Sequence, residues 1–217
     1  MRAIRAVVCS LLLSSPLAAQ QPDVSAGGLI GYQRGLGVES FATVSHFAEG
    51  LPISVRLRIG RTATDPGDPT AARRIFINTA TNGTPVESGR TWNGALDVLV
   101  PRGPHHRLWA GIRYTHFLAN FKFIGGNEDF DVRSSIWGLS AGADLIYGVS
   151  PRMDLIISGG LEAYRSSRLQ GHDTSYSPNG QNVNPREDFT YRDADRAINQ
   201  PRLRPTIMVG LSRKLGR

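Results

Sequence analysis

Arg56, Arg58, Asp97, Arg113, Asp144 and Glu162 each stand between two apolar residues, in stretches where polar and apolar side chains alternate. In an extended chain that spacing puts the charges on the face opposite the aliphatic one. Three arginines and three carboxylates on a shared face contain no hydroxyl or thiol nucleophile. They can neutralise one another, and they must do so if that face is shielded from water. The expectation is a structural network of ion pairs in a protein interior, with a gated conductance path as the competing reading.

Other candidates for chemistry are thinner. His116, in Tyr114-Thr115-His116-Phe117-Leu118, has Leu118 two positions on, so no same-face hydroxyl follows for the imidazole to activate. His105-His106 reads as a solvated turn rather than a metal site. Asn127-Glu128-Asp129-Phe130-Asp131 reads as a solvated acidic loop, because it lacks the glycine and terminal glutamate of a calcium-binding EF-hand. No glycine-rich phosphate loop, nucleophile elbow or zinc signature occurs. No catalytic residue, metal or cofactor is therefore expected.

The elements that must position these charges are strands. Eight segments alternate in polarity over lengths suited to crossing a membrane, at about residues 23 to 33, 38 to 47, 53 to 63, 90 to 100, 107 to 119, 134 to 147, 153 to 165 and 203 to 215. The sixth is clearest: Trp137, Leu139, Ala141, Ala143, Leu145 and Tyr147 share one face, and Gly138, Ser140, Gly142 and Asp144 the other. Trp137 and Tyr147 are ten residues apart. At about 3.3 Å per residue and a tilt of about 40°, they stand about 25 Å apart along a membrane normal, the height of a lipid-facing apolar band. With Trp92 they form the expected aromatic girdle. In the second segment Phe41 and Phe47 share a face with Thr43 and Ser45, which leaves its orientation open.

Connections alternate in length. Short, proline-containing links fall near 48 to 52, 101 to 106 and 148 to 152, and long polar ones near 64 to 89, 120 to 133 and 166 to 202. Short turns on one rim and long loops on the other are the pattern of an outer-membrane barrel. The longest loop, with Tyr176, Phe189 and Tyr191, suits either an adhesion or ligand surface or plain solvation.

Residues 1–19 read as a cleaved signal peptide: Arg2 and Arg5, an apolar stretch from Ala6 to Leu13, then Pro16-Leu17-Ala18-Ala19. Cys9, the only cysteine, lies inside it, so the mature chain, residues 20–217, would hold no disulfide. The chain carries +7, almost all of it arginine, since Lys122 and Lys214 are the only lysines. Arginine pairs bidentately with phosphate, which makes outer-membrane lipids and lipopolysaccharide the expected partners. Nucleic acid is not expected, because export and the lack of an arginine-rich helix or aromatic RNA-binding motif oppose it.

Gly138 to Tyr164, GLSAGADLIYGVSPRMDLIISGGLEAY, and the stretch RPTIMVGLSRKL resemble the small outer-membrane β-barrel superfamily that includes OmpA-like transmembrane domains. The resemblance implies an all-β fold, an eight-stranded antiparallel up-and-down transmembrane β-barrel following the signal peptide. It also implies residence in the outer membrane of a diderm bacterium, contact with the barrel-assembly machinery, and a monomer. Such barrels carry a terminal aromatic where this chain has Leu215-Gly216-Arg217. Outer-membrane lipid A deacylases are similar in barrel size and place a serine near their histidine, where this chain has Leu118 after His116. The first expectation is a structural or interaction barrel with a closed polar lumen and long extracellular loops. A lipid A-modifying enzyme and a soluble periplasmic carrier of the lipocalin type remain as alternatives, the latter because alternation alone does not say which face points inward.

Overall fold

Period-two alternation gives every strand one face that must be covered, and here eight strands cover it by closing on one another. The computed structural model describes residues 22–46, 48, 50–165, 167–173 and 185–215. Residues 1–19, expected as a signal peptide and containing Cys9, lie outside the described residues, as do Phe47, Tyr176 and the terminal Gly216-Arg217. The elements in chain order are β1 (Asp23–Tyr32), β2 (Leu36–Ser45), β3 (Ser54–Thr64), α1 (Pro69–Phe76), β4 (Thr84–Pro101), β5 (His106–Ile124), β6 (Asp129–Ser150), β7 (Met153–Tyr164), β8 (Gln170–Asp173), α2 (Tyr191–Ala197) and β9 (Leu203–Lys214). β1 to β7 and β9 pair antiparallel in one ring, closed by β1 with β9 and by β5 with β6. β8 stands outside that ring and extends the pairing of β6 where β7 has ended.

The two faces of the ring sort by polarity. In β3, Arg56 and Arg58 are buried while Leu57 and Ile59 are exposed. In β9, Arg204, Thr206 and Ser212 are buried while Ile207, Val209 and Leu211 are exposed. β2 follows the same rule, with Glu39, Phe41 and Thr43 inward, which settles the orientation its sequence left open.

β4, β5 and β6 outrun the lengths expected from sequence. The span 120 to 133, expected as a long polar loop, is instead mostly strand, turning between Ile124 and Asp129. Its period-two pattern continues with polar residues outward and Phe121, Phe123, Phe130 and Val132 inward. Outward polarity signals water rather than the end of the strand. The span 64 to 89 likewise holds α1 and the start of β4, and 166 to 202 holds β8 and α2.

Both helices are short and depend on their caps. Asp68 Oδ1 accepts from the Thr70 and Ala71 amides at 2.8 and 3.0 Å, with Pro69 at the first helical position. Thr190 and Asp193 form a reciprocal capping box on α2. Helices this short do not persist alone. They are held by a second core in which Ala72, Ile75 and Phe76 of α1 and Ala194 and Ala197 of α2 join Phe117, Phe121, Phe123, Phe130, Val132 and Leu169. The inward face of β5 therefore changes character along its length, from Arg113 and Thr115 at the barrel's middle to phenylalanines beneath the helices.

Candidate functional site

Alternation on β2, β3, β4, β5, β6, β7 and β9 brings five arginines and four carboxylates into one continuous network inside the ring. Arg56 donates to Asp144 Oδ2 at 2.8 Å and to Asp97 Oδ2 at 3.3 Å. Arg58 Nε lies 2.8 Å from Asp97 Oδ2 as an ion pair, and its Nη1 donates to Glu39 at 3.2 Å. Arg113 reaches Glu162 at 3.2 Å and Asp97 at 3.8 Å. Arg204 donates to Glu162 at 2.6 Å and to the Tyr164 hydroxyl at 2.8 Å. Arg107, nearer the short-turn rim, donates to Asp144 at 2.8 Å. All six charged residues singled out from the sequence lie in this network and are at most 3 % exposed.

Ser158, Tyr164 and Ser140 complete it: the first two donate to Asp144 and Glu162 at 2.7 Å each, and the third accepts from Arg113 at 2.9 Å. Trp109 supplies a different contact. The guanidinium carbons of Arg56, Arg58 and Arg113 lie 5.7, 4.6 and 5.5 Å from its ring centroid, within cation–π range. The indole has room because Gly142 and Gly160 face each other across β6 and β7; a Cβ at either would fall 2.4 or 2.6 Å from its ring.

Sequence reasoning missed Glu39, Arg107, Arg204, Tyr164 and Trp109. Arg204 was detectable, since it continues the period-two polar face of its strand with Thr206 and Ser212, whereas Phe41 on the same face as Glu39 kept that strand ambiguous. Trp109 was not, because the two glycines that admit it come from other strands.

On the outer face, Trp92 and Trp137 are more than half exposed, and Tyr147 is exposed towards the opposite rim. Tyr114 packs on Trp137 with centroids 5.1 Å apart, and Arg61 lies over Trp92 at 5.5 Å. His105 stacks on Tyr147 at 5.8 Å, and its Nδ1 lies 3.1 Å from the Ile146 carbonyl. Among the described residues no three His, Cys, Asp or Glu side chains gather as a metal site.

The acidic stretch is not a solvated loop. Glu128 is buried and takes Arg73 of α1 at 2.5 Å and the Asn78 amide at 2.8 Å, while Asn120 donates to Asp129 and Asp131. Burial pushes the Glu128 carboxyl up, but the hydrogen bonds from Arg73 and Asn78 outweigh it and hold it below the ordinary value.

The hydroxyl that His116 lacks along its own strand arrives from the neighbouring one. Ser135, opposite in register, places Oγ 3.0 Å from His116 Nδ1 on the outer wall. Among the described residues no carboxylate bonds the other ring nitrogen, and both residues sit in a continuous ladder, so the pair lacks the orienting group that an activated serine requires.

The chain matches the major outer membrane protein of Thermus thermophilus over 90% of its own length and 100% of that chain, with a TM-score of 0.76 and 21% identity. Its fold is that of a small outer-membrane β-barrel. A looser likeness, with a TM-score of 0.46 and 10% identity, covers 89% of this chain and 97% of Ail, the attachment invasion locus protein of Yersinia pestis. No family of known sequences and no curated protein matches the chain.

Proposed function

We propose that this protein resides in the outer membrane as a closed, ion-paired barrel, with the helix-capped rim outside the cell and a structural or interaction role. The observation that carries this reading is the sorting of side chains. Leu139 and Ile207 are each 67 % exposed, whereas Arg56, Asp97 and Asp144 are wholly buried. Water as the outer solvent would oppose both choices, and hydrocarbon favours both. The same sorting opposes a soluble carrier of the lipocalin type, whose apolar face lines the inside. Heat-modifiable migration on a detergent gel tests the reading. Protein extracted from outer membranes is expected to run compact unboiled and to shift when boiled. Unchanged migration together with recovery in the soluble periplasmic fraction would defeat it.

A further inference from the structure

Along the outer wall of β5, β6 and β7 two recesses lie end to end. The lower is apolar and about 670 Å³, walled by Val98, Ile112, Leu139 and Leu161 and floored by Ala110 and Ala141. The upper is polar and about 620 Å³, lined by His116, Arg133, Ser135, Ser167, Arg168 and Gln170. A single row, Tyr114 against Trp137, separates them. From Ile112 to His116 is four residues, so about 13 Å separates the facing edges of the two recesses, a span that one amphiphile bridges.

We infer that this wall binds a net-anionic, acylated phospholipid in preference to a zwitterionic one, its chain in the apolar recess and its phosphate against Arg133 and Arg168, which a cationic headgroup would oppose. The small residues Ala110, Ala141 and Ala163 leave a furrow between the outward Val98, Ile112, Leu139 and Leu161. Arg168 is positioned in advance: its guanidinium carbon lies 5.3 Å from the Tyr191 ring centroid of α2. Guanidinium groups match phosphate oxygens in pairs. A free anion would use only the upper recess, and an uncharged lipid only the lower. Their alignment across the single row of Tyr114 and Trp137 favours a ligand with both parts. This inference rests on the wall facing hydrocarbon, as proposed above.

Tryptophan emission tests it, because Trp137 sits between the recesses while Trp109 is buried inside the ring. The W92F protein leaves Trp137 as the lipid-facing indole. It is refolded into phosphatidylcholine vesicles containing either dibrominated phosphatidylglycerol or dibrominated phosphatidylcholine. The acidic lipid is expected to quench half-maximally at about a tenfold lower mole fraction than the zwitterionic one. That advantage is expected to vanish in R133Q/R168Q, to shrink in A141F, whose ring fills the furrow, and to survive millimolar inorganic phosphate. Equal quenching by the two lipids, or an advantage that persists in both variants, overturns the lipid site while leaving the barrel intact. An advantage abolished by inorganic phosphate overturns it in favour of a free-anion recess. The compact unboiled band of each variant is read in parallel, and its absence from the parent overturns the barrel reading and this inference together.

Discussion

Asp144 accepts from Arg56, Arg107 and Ser158, so its single charge is shared between a fully buried guanidinium and a partly exposed one. Deleting one member of a buried ion pair leaves the other charge uncompensated, at a cost of about 3–5 kcal/mol. Asp144→Ala is expected to lose stability of that order in urea unfolding from lipid vesicles, and a loss below about 1 kcal/mol would mean that water reaches the site. Glu128 makes a second, pH-dependent case. Its folded carboxyl lies below the ordinary value of about 4.3, so its contribution is complete above that value and is lost as pH falls through the folded one. Protease nicking near Arg73 and Arg74 is therefore expected to rise only at acid pH, and E128Q is expected to flatten that dependence by raising the neutral-pH rate. At this scale the sequence was legible where a charge interrupts an aliphatic alternation, as Arg56 and Asp97 do. It was not legible at Glu128, where the partner Arg73 comes from a helix that periodicity does not announce.

Strand existence could be read from alternation, but strand length could not, because the outer faces of β5 and β6 change from aliphatic to polar while the pairing continues. Phe121 and Phe130 mark the continuation, their rings 5.4 Å apart beneath the helices. In sequence they were read as parts of a loop, since an inward phenylalanine above a charged lumen makes sense only once α1 and α2 cover it. Those helices and the ring should therefore separate in stability. Phe121→Ala removes about 3–5 kcal/mol of packing from the second core. In hydrogen exchange it is expected to expose the amides of α1 and α2 while those of β1, β2 and β9 keep their protection. Uniform loss of protection would show that cap and ring unfold as one unit.

An eight-stranded ring leaves an interior that side chains can fill. Here the ion-pair network packed around Trp109 and the phenylalanines above it occupy that interior. Purified protein in planar bilayers is accordingly expected to show no large, stable channels, and steady openings would require a path through the network. The placement of Trp109 carries one more consequence, for how the ring assembles. Its pocket draws glycines from β6 and β7 and arginines from β3, on either side of its own strand, so it forms only when β3 to β7 have paired in sequence and curled about a common interior. Trp137 senses lipid as soon as its hairpin arrives. During refolding into vesicles the two indoles thus act as separate clocks, one for insertion and one for the curling of β3 to β7 about the lumen, and the lag between them times the interval from membrane contact to interior packing.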